Sequence, residues 1–88
     1  GHWLAVTLTQ RGGNRNAVGA VVSVAANGQI QVQQVSIGGG HAGGQAVPLH
    51  FGLGAAEHVE ISVRWPDAAF APTVISVDSN QIVTIARD

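Results

Sequence analysis

The chain has 88 residues, a net charge of −1 at pH 7, charged residues amounting to 10% of the total, and no cysteine. That length makes one domain, residues 1–88, in which folding removes roughly 60–65% of the unfolded chain's surface, so the core must be efficient and no disulfide staples it. The basic residues are Arg11, Arg15, Arg64 and Arg87 alone, too few and too dispersed for nucleic acid or an anionic membrane surface, and no apolar run approaches the roughly 18 residues of a span.

The aliphatic residues set the fold class. Thirteen Val and six Ile stand against four Leu, with no Met, and β-branched excess of this kind is sheet composition. WLAVTLT (3–9) alternates, placing Leu4, Val6 and Leu8 on one face and Trp3, Ala5, Thr7 and Thr9 on the other. AVVSVAANGQIQVQ (20–33) reads as two strands around Asn27-Gly28, residues that both tolerate positive φ. Across that turn Ala20, Val22 and Val24 are expected to face Ile30 and Val32, with Gln29, Gln31 and Gln33 pointing away. Val35 and Ile37 then fall out of phase, which predicts a bulge near Gln33 and Gln34. Further on come LHFGL (49–53), a stretch GAAEHVE (54–60) with a single expected helical turn, and HVEISVRW (58–65) with Val59, Ile61, Val63 and Trp65 inward. TVISV (73–77) and QIVTIAR (81–87) complete the set. The expectation is an all-β fold, an antiparallel β-sandwich or small partly open barrel of about seven short strands.

Chemistry-bearing residues do not converge in this pattern. Eight and seven residues separate His41 from His50 and His50 from His58, which is neither the i, i+2 strand spacing nor the i, i+4 helical spacing that aims imidazoles at one ion. His58, Glu60, Ser62 and Arg64 read as one solvated stripe, and His50 as a structural histidine bonded to a backbone carbonyl. Ser36 lacks the G-x-S-x-G elbow. Glu57, Glu60, Asp67, Asp78 and Asp88 fall at strand edges, turns and the terminus instead of pairing in a cleft. Asp78 with Asn80, and Asn14 with Asn16, fit Asx turns and supply too few oxygens for calcium. No enzyme activity, cofactor or metal is expected.

Six short motifs, HWL (2–4), GNRNAVGAVV (13–22), GGG (38–40), LHFGLG (49–54), VRWP (63–66) and NQIVTI (80–85), occur in an order that resembles the ASPIC/UnbV domain, found at the C-terminal end of secreted proteins built on FG-GAP or VCBS propeller repeats. The chain departs from that pattern at His41, where the family often has an aromatic, at WPDA in place of WPSG, and at Val21 in place of a polar or basic residue. The resemblance implies an extracellular or periplasmic accessory module and, by its context, an adjacent propeller domain or extracellular protein as partner.

SIGGGHAGGQAVPLHFGLG (36–54) carries seven of the twelve glycines. No Lys and no following helix accompany it, so it is not a phosphate cradle. Two readings stand: a long sheet-crossing connector, or a docking surface in which Gly39, Gly40, His41 and Gln45 meet Arg15 from the neighbouring loop, with Trp3 as a further contact. A carbohydrate-binding module is the alternative function, using Trp3 as the platform and Gln29, Gln31 and Gln33 as the amide face. An amide-lined aromatic would favour sugar; a contiguous apolar patch with Trp3, Val18 or Val21 would favour protein.

Overall fold

Alternating chains bury one face only when a second layer covers it, and here two sheets cover each other. The computed structural model describes residues 1–10, 17–35, 48–66 and 72–87, the side chains of Gln10 and Arg87 excepted. Its strands are β1 (His2–Gln10), β2 (Val21–Ala26), β3 (Gln29–Gln34), β4 (Leu49–Gly54), β5 (His58–Arg64), β6 (Thr73–Asp78) and β7 (Gln81–Arg87). One sheet has the order β4-β1-β7 and the other β3-β2-β5-β6. All pairings are antiparallel except β1 with β7, which lie parallel. The sheets are separate, so the fold is a sandwich and not a barrel.

The expected inward residues form the core. Leu4, Val6 and Leu8 of β1 meet Val22 and Val24 of β2, Phe51 and Leu53 of β4, Val59, Ile61 and Val63 of β5, Trp65 and Ile85, all 5% exposed or less. At roughly 1.5–3 kcal/mol for each large aliphatic or aromatic side chain removed from water, this cluster is the main stabilising term.

The Asn27-Gly28 turn forms as expected, with φ of 51° and 75°. Its consequence for the flanking faces differs from the expectation. A two-residue turn joins residues of opposite parity: Val24 pairs with Gln31, Val22 with Gln33 and Ser23 with Val32. Directly opposed residues share a face, so Gln31 and Gln33 lie on the side of Val22 and Val24, while Ile30 (70% exposed) and Val32 (60%) stand on the outer face. With that parity Val35 is already in phase with the core, and the Val35 N–H donates to the Ala20 carbonyl at 2.8 Å. No bulge is needed, and the ladder runs unbroken from Val21–Gln34 to Ala26–Gln29.

The helical turn expected at 54–60 is likewise absent. Gly54 takes φ 57°, the Ala56 N–H donates to the Leu53 carbonyl at 3.0 Å, and β5 opens at His58. The few residues between the strands are too short to nucleate a helix, and burying Ala56 in a tight turn is the alternative they take.

Gly28 finds nothing within 4 Å of the position a Cβ would occupy. Gly28→Ala is therefore expected to cost only the strain of a left-handed residue, about 1–2 kcal/mol, read as a lower urea midpoint at unchanged m.

Candidate docking surface

The outer face of the β4-β1-β7 sheet centres on Trp3. The registers Ala5↔His50 and Ala5↔Ile82 set His50, Ala5 and Ile82 in one row, with Trp3 before Ala5 on the same face and Thr7 after it. Trp3 is 40% and Ile82 66% exposed, whereas Ala5 is 1% exposed. Ala5 thus lies on the outer face, as its place in the alternation predicts, yet is buried there. Gly52 stands opposite Trp3, and a Cβ built there would meet nothing within 4 Å among the described residues. The indole thus stands beside an open notch. Thr7, Thr9, Thr84 and Ala86 extend the face, and none of these residues carries a formal charge.

Backbone and side-chain bonds hold Trp3 in place. Its N–H donates to Asn80 Oδ1 at 3.1 Å, and the Asn80 N–H donates to the Trp3 carbonyl at 2.6 Å. The Asn80 amide nitrogen lies 2.8 Å from His2 Nδ1, which is also 2.9 Å from Ser79 Oγ. Asn80 reaches this position at φ 63°, a conformation asparagine tolerates better than most residues. In place of the Asx turn expected at Asp78–Asn80, Asn80 thus clamps the first strand while the Asp78 carboxylate bonds His58.

The glutamines do not form the exposed amide face expected of a sugar module. Gln31 Nε2 donates to the Gly52 carbonyl and Gln33 Nε2 to the His50 carbonyl, each at 2.6 Å, and only Gln29 is fully exposed. Both acceptors lie on the free edge of β4, because Trp3, opposite Gly52, directs its own N–H and C=O toward Asn80. The turn parity that hides the glutamines thus also closes one edge of the sandwich.

On the other sheet, the expected stripe His58, Glu60, Ser62 and Arg64 does face outward. His58 Nδ1 bonds Asp78 Oδ1 at 2.6 Å, with their side chains 78% and 74% exposed. Ser76 lies diagonally across from His58, completing a Ser, His and Asp set by residue type. No hydrogen bond joins Ser76 to His58 among the described residues. The adjoining hollow, about 450 Å³ between the Asn27-Gly28 tip and His58, is open to solvent. His50 is exposed, and its ring makes no hydrogen bond among the described residues, so the structural histidine expected there is not found. No group of three or more His, Cys, Asp or Glu able to hold a metal ion occurs among the described residues.

Of the predicted contact residues, the structure places Trp3 as an exposed aromatic. Arg15, Gly39, Gly40, His41 and Gln45 lie outside the described residues, as do Asn14, Asn16, Ile37 and Phe70. Val21 sits on the outer face of the opposite sheet from Trp3 and does not join its patch; Ile82 and the Gly52 notch, which sequence reasoning missed, do.

Fold and surface together define a β-sandwich module with a neutral, aromatic-centred face. Residues 10–88 match the family model described as ASPIC and UnbV, and the chain belongs to that family. It is accordingly an accessory domain of the propeller-repeat proteins in general. No curated protein and no solved structure matches it.

The short motifs acquire physical meaning in this fold. In AVGA, the Ala20 N–H donates to the Ala17 carbonyl at 2.9 Å with both alanines fully buried, and Gly19 takes φ 98°, where a Cβ would stand 3.7 Å from the Pro66 ring of VRWP. NQ clamps HWL through Asn80. LHFGLG buries Phe51 and Leu53 and leaves Gly52 as the notch.

Proposed function

We propose that the chain is a noncatalytic interaction module of an extracellular or periplasmic propeller-repeat protein, docking on the adjacent propeller domain or a protein partner through the face around Trp3. The observation that carries this reading is the exposed Trp3 beside Ile82 and the Gly52 notch, on a face without formal charge. An aromatic anchor next to an unfilled hollow is the form that interface hot spots take. The 38–45 loop with Arg15 belongs to the same proposal as a second contact.

The test uses the neighbouring propeller domain of the parent protein, produced separately and titrated calorimetrically. Trp3→Ala is expected to weaken binding at least about tenfold, the effect of about 1.4 kcal/mol. Gly52→Leu, which fills the notch without touching the core, is expected to do the same while the circular dichroism spectrum is unchanged. Affinity is expected to vary little between low and high salt, because no charge pair steers the contact. Parental affinity in both variants overturns the Trp3 face, and a folded Gly39→Val variant that binds like the parent removes the loop.

A further inference from the structure

The two edges on one side of the sandwich are treated differently. β4 has its free carbonyls at His50 and Gly52 occupied by Gln33 and Gln31. β3, which supplies those glutamines, pairs among the described strands only with β2. Because the Val35 N–H points to Ala20, alternation sends the backbone groups of Gln33, Gln31 and Gln29 toward β2 and those of Ile30, Val32 and Gln34 away from it. Ile30 and Val32 therefore present backbone donors and acceptors without a partner among the described residues along the edge, and they are 70% and 60% exposed on the outer face.

Sheet edges are ordinarily blunted by a charge, a proline, a bulge or a covering element. QIQVQQ has no charge and no proline, its ladder has no bulge, and no described strand or loop pairs with it. A strand of this composition with free backbone groups recruits another strand.

We infer that β3 is a self-association edge: two copies of this chain pair β3 to β3 antiparallel about a two-fold axis, joining their four-stranded sheets into one of eight. The strand's own pattern points to a second copy as occupant: QIQVQ (29–33) is near-palindromic about Gln31, so a copy running antiparallel sets aliphatic against aliphatic and amide against amide. An antiparallel strand meeting itself sets each residue against a residue of the same strand, so a charged edge tends to repel its copy, and here there is none. Only residues with outward backbone groups can exchange hydrogen bonds across the axis. Among the registers this allows, the one with Ile30 opposite Val32 of the second copy and Gln31 opposite Gln31 brings all four aliphatic side chains side by side on the outer face. The contact lies on the opposite sheet from Trp3 and does not depend on the docking reading.

Sedimentation equilibrium of the 88-residue chain tests it, carried to about 1 mM, where even a dimer of millimolar Kd is populated. The parent is expected to pass from monomer to dimer. Val32→Lys and Ile30→Glu, both at exposed sites, are each expected to remain monomeric with an unchanged circular dichroism spectrum. Their equimolar mixture is expected to recover a heterodimer, since the ammonium introduced in one copy then faces the carboxylate introduced in the other. Ile82→Lys, equally exposed on β7, is expected to dimerise like the parent. Amide exchange is expected to slow at Ile30 and Val32 as the parent is concentrated. A parent that stays monomeric overturns the inference, as does a Val32→Lys variant that associates like the parent, loss of the dimer in Ile82→Lys instead, or growth beyond a dimer. So does exchange that slows only on adding an extended peptide of another protein.

Discussion

Truncating Phe51 to alanine is expected to remove about 3–5 kcal/mol of stability, out of roughly 4–13 kcal/mol available to a domain of this length. Phe51 is the largest of the fully buried side chains, and it pairs with Leu4 on β1, the one neighbour β4 has within its sheet. Leu53 and the partly buried Leu49 also pack on the core, and Gln31 and Gln33 hold the free edge, but the ring is the largest side chain that ties this edge strand to the core. Urea denaturation would show the loss as a lower midpoint. At about 4–8 °C per kcal/mol the thermal midpoint would fall by well over ten degrees, leaving little or no folded protein at physiological temperature. Phe51→Leu, which keeps an apolar group of intermediate size, should lose clearly less. A Phe51→Ala variant within about 1 kcal/mol of the parent would show that the site collapses around the missing ring and that β4 is anchored elsewhere.

Strand positions and inward faces are legible in the sequence because they depend on local periodicity. Leu4, Val6, Val59, Ile61, Val63 and Trp65 alternate strictly, and each is buried as that alternation demands. Periodicity fails one step further, where a face is carried across a turn. Matching even-numbered Val22 and Val24 to even-numbered Ile30 and Val32 is wrong, because a two-residue turn reverses parity. Hydrophobicity alone favours the wrong match, since it sets aliphatics together and sends glutamines to water. The fold instead gives each inward glutamine a carbonyl of β4, a partner almost twenty residues or more away that no local pattern reveals.

The same distance explains what is legible of the surface. Trp3 stands out because it interrupts the less apolar face of its own strand. Ile82 and Gly52 do not, because they adjoin Trp3 only once β1 has paired with β7 on one side and β4 on the other. The His58–Asp78 pair is hidden for the same reason, its register being set across the β5–β6 connection. Self-pairing of β3 follows from the parity that hydrophobicity obscures: had Ile30 and Val32 faced the core, the edge would have carried only glutamine on its outer face.

Trp65 should show an effect as large as Phe51 and through two separable causes. It lies 3% exposed just after β5, and its indole N–H donates to Thr73 Oγ1, at the start of β6, at 2.8 Å. Trp65→Ala is expected to cost about 3–5 kcal/mol for the lost volume and cavity. It also leaves the Thr73 hydroxyl without that donor. Trp65→Phe keeps most of the apolar volume and removes the N–H, so its cost should fall to about 1–2 kcal/mol. Thr73→Val removes the acceptor instead. If the hydrogen bond ties the end of β5 to β6, the double variant Trp65→Phe/Thr73→Val should be less destabilised than the sum of the single changes by about 1 kcal/mol, because each single change leaves a polar partner behind and the double change leaves none. Strict additivity in equilibrium unfolding would mean that the bond contributes nothing and that Trp65 acts through its volume alone, in which case β6 is held by its ladder with β5 and the apolar contacts of Ile75 and Val77 with the core.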